Sequence, residues 1–406
     1  MREMKDSGIE WIGEIPQEWG TIRAKYVVTI SNGSDPKTEG ETPVYGSGTG
    51  CFKTCGEYKE GPAVLLGRKG ATLHIPHYVE GKYWNVDTAF DVKPIQSKID
   101  LYYFYLLSQC FDYKYYTATT TLPGMTQTNY GNMCLPYPSM TKQRQIVSYL
   151  NQKCTEIDAL IAAKEKTNAL LRERRQSIIY EAVTKGLDPN APIKESGVEW
   201  IREIPQKWKA LSLKRLGTPA TGSTPPKDHT EYWNGGIPWF SSKDLKVDFL
   251  DDSEDHITSE AVDNCKLTVY DPGTLVFCVR SGILRHTFPV SIITTKATIN
   301  QDLRAMVVSE KIDPTFLLYY LHGMNDIIVT LYQKVGATVE SIELEWLSYL
   351  PVLLPPKEEQ EAIVAYIKKQ CESINALINA NTKAIHQLKE YRQSLIYEAV
   401  TGKIEV

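Results

Sequence analysis

Long apolar runs are missing from this sequence. Nowhere does it approach the ~18 consecutive apolar residues that a bilayer-crossing helix needs. Met1 to Glu10 is polar and charged, which is not the pattern of a secretory signal. A surplus of positive charge is missing too: 45 Lys and Arg face 49 Asp and Glu, for a net charge of −4. This does not exclude binding to nucleic acid, because phosphate contacts depend on local Lys and Arg rather than on the sum. It does predict weak binding by the chain alone and help from partners. A disulfide framework is also lacking: eight cysteines are scattered over 406 residues, as expected for reduced thiols in the cytoplasm.

Catalytic signatures are equally scarce. There is no G-x4-GK[ST] phosphate loop, no G-x-S-x-G elbow, no H-E-x-x-H and no N/D-P-P-Y/F motif for adenine-amino methylation. The Gly-rich stretch Tyr45 to Gly50 has no βαβ unit around it and reads as a tight turn. Cys51, Cys55, His74 and His77 form a C-x3-C…H-x2-H pattern whose four side chains could hold zinc. The other half of the chain has nothing like it, so no metal is expected. The chain reads as non-catalytic, with no cofactor of its own.

What is present is a chain written twice. Ser7 to Trp19 reads SGIEWIGEIPQEW, and Ser196 to Trp208 reads SGVEWIREIPQKW, identical at ten of thirteen positions and 189 residues apart. QSIIYEAVT from Gln176 returns as QSLIYEAVT from Gln393, 217 residues on. Gln143 and Gln360, Ile146 and Ile363, Cys154 and Cys371, and Leu160 and Leu377 share that second offset. The ends of each copy match and the middles do not. One frame therefore serves two different targets, and duplication with pseudo-two-fold symmetry is expected. The period is too long for a solenoid.

Residues 142–184 and their counterparts in the second copy are predicted as two helices of about 43 residues, each roughly 65 Å long, within the segments 141–186 and 357–406. Thr141 is a candidate cap; Gly186 and Gly402 follow the ends. Ile146, Leu150, Ile157, Leu160, Leu171 and Ile178 are spaced as a heptad seam, matched by Ile363, Ile367, Ile374, Leu377, Leu388 and Leu395. Such long stripes need a cover, and each copy can supply it to the other as a coiled coil. Lys164 and Asn381 hold matching seam positions, either to fix register or where the pair splays. Arg172, Arg174 and Arg175 could meet DNA or an acidic partner, or simply be solvated.

Residues 20–140 and 209–356 carry short β-type runs: Ala63 to Leu66, Trp84 to Val92, Thr274 to Val279 and Val290 to Thr295. Short helices are expected at Leu101–Ser108 and Thr315–Gly323. These are mixed α/β domains with many loops. The expected class is α+β: domain 1 over 1–140, long helix 1 over 141–186, domain 2 over 187–356, long helix 2 over 357–406.

The doubled order of motif, divergent domain and long helix resembles the specificity subunits of bacterial type I restriction–modification systems. The resemblance covers essentially the whole chain. It rests on TGSTPPKDHTEYWNGGIPWFSSKDL from Thr221, DPGTLVFCVRSG from Asp271, INQDLRAM from Ile299 and LPPKEEQEAIV from Leu354. In the first half the similar stretches are PVYGSGTGCF from Pro43, LLGRKGA from Leu65 and TTLPGMTQ from Thr120. One departure is Lys142, where the second copy has Glu359. The resemblance implies two target-recognition domains at opposite ends of two antiparallel coiled-coil helices. Each would read half of a split site in double-stranded DNA, with the helices setting the gap. Two methyltransferase subunits and the restriction–translocase subunits would be the partners, carrying S-adenosylmethionine, ATP and Mg2+. The methyltransferases would flip and methylate an adenine.

Base readout needs polar side chains on loops held by a rigid frame. In the first domain the candidates are Arg68 and Lys69 on a Gly-flanked turn, then Thr119, Thr120, Thr121 and Gln127. In the second they are Ser241, Ser242, Lys243, Arg280, Ser281, Arg285, Gln301 and Lys334. Asn300 and Gln301 could instead pin a turn. Trp233 and Trp239 read as core. A scaffold with two protein-binding domains and no DNA readout is the competing expectation.

Overall fold

A computed structural model of the chain describes residues 2–406 apart from 49, 97, 114–123 and 335–338. It divides into two compact units, Met1–Glu165 with Asn381–Val406, and Lys166–Ala380.

The repeated motif folds as the same bulged hairpin in each unit. Met4–Ile9 pairs with Gly13–Pro16, and Ile193–Val198 with Ile201–Pro205, each with a register shift over the Ser-Gly pair. The bulge explains the residues. Gly8 and Gly197 sit at φ +68° and +72°, in the left-handed region that costs other residues about 1–2 kcal/mol. The Ser7 hydroxyl accepts the Ile9 N–H at 3.0 Å, and Ser196 accepts that of Val198 at 2.8 Å. Ile15, Trp19, Ile204 and Trp208 are buried.

In the first unit the main sheet runs β1 (Val28–Asn32), β6 (Ala89–Pro94), β3 (Ala63–Gly67), β4 (His77–Val79), all antiparallel. Beside it, β2 (Thr42–Tyr45) and β5 (Lys82–Asn85) pair in parallel. The run from Trp84 to Val92, expected as one strand, is broken by a turn between Asn85 and Ala89. Helix α1 (Leu101–Ser108) starts at Asp100, whose carboxylate caps the N–H groups of Tyr102 and Tyr103. The long helix α2 (Met140–Lys185) follows.

The second unit repeats this plan in a divergent sequence. With β7 (Trp233–Phe240), β8 (Leu275–Cys278), β9 (Val290–Ile293), β10 (Thr298–Ile299) and β11 (Leu303–Met306), its main sheet runs Ala220–Thr221, β11, β8, β9, Phe249–Leu250. β7 and β10 form the parallel pair. Helix α3 (Pro314–Gly323) is capped by Asp313, and α4 (Lys357–Val400) closes the chain.

The buried stripes of the long helices are equivalent from Ile146 and Ile363 to Ile157 and Ile374. Ile146, Leu150, Cys154, Ile157 and Ile161 are buried on α2, and Ile363, Ile367, Cys371 and Ile374 on α4. Two successive steps of four residues, through Cys154 and Cys371, interrupt the heptad spacing. Such an insertion shifts the stripe around the helix. The expected seam residues Leu160 and Leu377 therefore face out, 53% and 55% exposed, and Ile161 takes the inward place. Leu171 and Leu388 are half-buried; Ile178 and Leu395 are buried.

Within the first unit, Asp158 pairs with Arg392 at 3.0 Å and Glu165 with Lys389 at 3.7 Å, so these helix segments run antiparallel. The Lys164 ammonium donates to the Asn381 side-chain oxygen Oδ1 at 3.4 Å. Within the second unit, Ile179, Ala182 and Val183 share a core with Ile363, Ile367 and Cys371. Ser139, not Thr141, caps α2: its hydroxyl accepts the Lys142 N–H at 3.3 Å. Gly186 and Gly402 end the helices at φ +75° and +74°. Any side chain at Gly402 would strike Pro16 and Trp19, and one at Gly186 would crowd Trp208 and Glu359. The hairpin motif and the helix end thus recur together because they pack on each other.

Candidate nucleic-acid interface

In the second unit, loops leaving the parallel pair and the central strand meet at one sheet edge. β8 ends at Cys278. The Val279 N–H then donates to the Asp302 carbonyl at 2.9 Å, and the Asn300 N–H to that of Phe240, also at 2.9 Å. These bonds place the turn after Phe240, the segment 300–302 and the loop 279–285 side by side. A fourth segment closes the edge. Arg280 bridges Ser341, the Ser281 N–H donates to the Glu340 carbonyl at 3.0 Å, and the Lys334 N–H donates to that of Ser341 at 2.8 Å.

Arg280, Ser281, Arg285, Gln301 and Lys334 therefore belong to one surface, as a loop-borne readout requires. Arg280 is exposed and has no ion pair among the described residues. Arg285 points its Nε at Glu340 Oε1, 2.8 Å away, and Nη2 donates to the same oxygen. The Arg285 hydrogen bond holds the Glu340 carboxyl below its ordinary range. Lys334 lies 3.5 Å from Glu343. Ser281 serves the backbone, capping the turn Gly282–Arg285. Gln301 accepts a hydrogen bond from the Thr224 hydroxyl.

Ser241 is a different matter. It is buried, and its hydroxyl and N–H both donate to Asp244 Oδ2 at 2.8 Å, so it builds the turn and presents nothing outward. Ser242 is half-buried. Lys243 is exposed but held by Asp255 at 2.9 Å and Glu254 at 3.1 Å; hydrogen bonds to both, Asp255 first, raise its pKa. Trp239 is buried and meets the half-buried Trp233 edge-on at 5.2 Å. Asn300 accepts the Asp302 N–H at 3.0 Å and so pins its turn.

The first unit builds the equivalent edge with other side chains. The Arg68 N–H donates to the Thr88 carbonyl and the Met125 N–H to that of Arg68, both at 2.8 Å; Lys69 bridges Gly124. Lys69 thus stands where Arg280 stands in the second unit. Arg68 is exposed, 5.9 Å over the Phe90 ring, and donates to the Asp87 carbonyl at 3.3 Å. Lys69 pairs with the Asp87 carboxylate at 3.2 Å. Thr119, Thr120 and Thr121 lie outside the described residues. Gln127 opens the short helix Gln127–Asn132 and donates to the Ile30 carbonyl at 2.5 Å, which commits its amide to the backbone.

One loop of this edge escaped the sequence reading. The Val86 N–H donates to the Tyr45 carbonyl at 3.0 Å, as Asn300 does to Phe240, so Gly46, Ser47 and Gly48 occupy the place of residues 241–243. The signal was the parallel position of PVYGSG and IPWFSS in the two halves. Gly67 is required there: a Cβ would lie 2.4 Å from the Leu73 backbone and 2.7 Å from Ser47.

Cys51 Sγ contacts the Lys53 carbonyl, Cys55 Sγ that of Glu57, and the His77 ring that of Gly48. Among the described residues no three His, Cys, Asp or Glu side chains gather as metal ligands. No helix among them is long and apolar enough to cross a membrane. Arg172 and Arg174 are exposed and Arg175 is half-buried.

The family described as type I restriction modification DNA specificity domain matches twice, over residues 16–170 and 205–387. The EcoR124I/EcoR124II specificity subunit of Escherichia coli is 28% identical over 65% of this chain; the match spans 61% of that subunit's length. A putative type I restriction enzyme specificity subunit of Methanocaldococcus jannaschii, MjaX, is 26% identical over 78% of this chain and 71% of its own. A chain from a solved structure on complex assembly and conformational transition of the type I R-M system superposes with a TM-score of 0.73 at 17% identity. It covers 96% of this chain and 99% of that one, and it shows the shared fold.

Proposed function

The chain belongs to the type I restriction–modification DNA specificity family, and from that membership we propose that it is the sequence-reading, non-catalytic subunit of such a complex. Residues 1–140 and 187–356 are its two target-recognition domains. Each reads one half of a split site in double-stranded DNA. The long helices, residues 141–186 and 357–406, form an antiparallel coiled-coil pair that sets the spacer and docks two methyltransferase subunits. Restriction–translocase subunits complete the assembly. S-adenosylmethionine, ATP and Mg2+ act on those partners, in the cytoplasm.

The observation that carries this reading is the pair of equivalent loop edges. The bonds of Arg68 to Thr88, of Val86 to Tyr45 and the Lys69–Gly124 bridge recur as those of Val279 to Asp302, of Asn300 to Phe240 and the Arg280–Ser341 bridge, but Arg68 and Lys69 in one correspond to Val279 and Arg280 in the other. Matched frames with different outward side chains fit two readouts of two different half-sites.

Methylation mapping tests it. The chain is expressed with its methyltransferase partner in a host lacking adenine methylation. The expected result is one bipartite motif with a fixed gap, modified on both strands. Soluble, associated proteins with scattered or absent methylation would instead support a protein scaffold. At residue level, Arg280→Ala is expected to cost about 1–3 kcal/mol at one half-site if the guanidinium grips a guanine edge. An equal loss on every sequence, measured by titration with variant duplexes, would reassign Arg280 to phosphate.

A further inference from the structure

The carboxylates on the two edges have no part in that reading, and their placement is specific. In the first unit Asp87 holds Lys69 at 3.2 Å, leaving Arg68 without an ion pair among the described residues. In the second, the position of Asp87 is taken by the neutral Gln301, through the matched bonds of Arg68 to Thr88 and Val279 to Asp302. Arg280, which corresponds to Lys69, accordingly has no carboxylate partner there. The acid appears one residue before the Ser341 bridge instead: Glu340 engages Arg285 through Nε and Nη2. Each edge therefore carries an arginine without such a partner beside at least one cation held by an acid; in the second unit Lys334 and Lys243 are held as well, by Glu343 and by Asp255 with Glu254.

We infer that Asp87 and Glu340 are specificity-determining residues that keep Lys69 and Arg285 from phosphate on unrelated DNA and release them only at the matching half-site. This rests on the reading of both edges as DNA-facing. A phosphate of any sequence offers the same attraction, so a freely available cation raises affinity everywhere and discrimination nowhere. A cation already engaged by a carboxylate must exchange one partner for another. Non-specific duplex gains little from that exchange. A site that also satisfies the neighbouring arginine seats the loop closely enough to make it favourable. Specificity is a difference of affinities and is raised by weakening the wrong complex. The backbone anchor of the loop does not use the acid's charge: the Glu340 carbonyl, not its side chain, accepts the Ser281 N–H.

The test uses the complex with the methyltransferase partner and two duplexes, one carrying the mapped site and one of equal composition without it. Glu340→Gln is expected to raise affinity for the non-specific duplex about two- to fivefold, the scale of an exposed ion pair. It is expected to steepen the salt dependence by about one released counterion. Cognate affinity should rise less, so the specificity ratio falls. Asp87→Asn should do the same at the other half-site. An unchanged or improved ratio would overturn the inference. So would a loss confined to cognate DNA, which would make Glu340 a base reader in its own right. Arg280→Ala separates the levels. If it weakens DNA binding while Glu340→Gln is inert, only this inference fails. If neither variant alters binding to any duplex, the reading of the edge fails with it.

Discussion

Ile367→Asp is expected to unfold the second unit, while Leu377→Asp leaves it folded. Both residues are apolar and lie ten positions apart on the same helix. Ile367 is fully buried in the main core of the second unit, and Leu377 is 55% exposed. The first change removes a packed side chain, which costs about 2–5 kcal/mol when cut to Ala. It then places a carboxylate in the core, and burying a charge there adds several more. A loss above ~4 kcal/mol approaches the whole stability of a domain. The second change meets water and should stay within about 0.5 kcal/mol. Urea unfolding followed by circular dichroism separates them. Equal destabilisation would mean that the stripe has been assigned to the wrong face. The same contrast applies to Leu150 and Leu160 in the first unit.

Gln360→Ala should cost roughly 2–5 kcal/mol although it removes no charge and little apolar surface. The side chain is 1% exposed. Its carbonyl oxygen accepts the Asp313 N–H at 2.8 Å, and its amide donates to the carbonyls of Pro355 at 3.0 Å and Lys311 at 3.2 Å. One side chain thus ties the start of α4 to the cap of α3. Truncation orphans several buried peptide groups at about 1–3 kcal/mol each. Gln143 makes the corresponding bonds to Asp100 at 2.8 Å and Pro138 at 3.0 Å, so Gln143→Ala should unsettle the first unit alike. Thermal unfolding of both variants checks this. A loss below ~1 kcal/mol would show that water replaces the clamp.

The sequence by itself determined the duplication, and with it which residues had to be structural. Matching glutamines, glycines and the Trp-bearing motif were visible as letters. Each proved to answer a local demand that any copy of the frame must meet: a left-handed turn, a helix end or a buried peptide group. The short helix α1 was likewise expected at Leu101–Ser108, because capping and burial of a short helix are decided within a few residues.

Other features were decided only by tertiary structure. The inward face of the long helices turned on a two-step insertion at Cys154 and Cys371. A fixed heptad count carries Leu160 and Leu377 onto the seam; three-dimensional packing turns them out, since an apolar residue off the stripe has nothing to cover it. The kinship of the two divergent middles was hidden because strand pairing is made by backbone groups, which different side chains can share. The edges were hidden for a related reason. Whether an arginine stands ready, as Arg280 does, or is engaged by an acid 55 residues away, as Arg285 is by Glu340, depends on which loops the sheet brings together. Sequence distance carries no record of that.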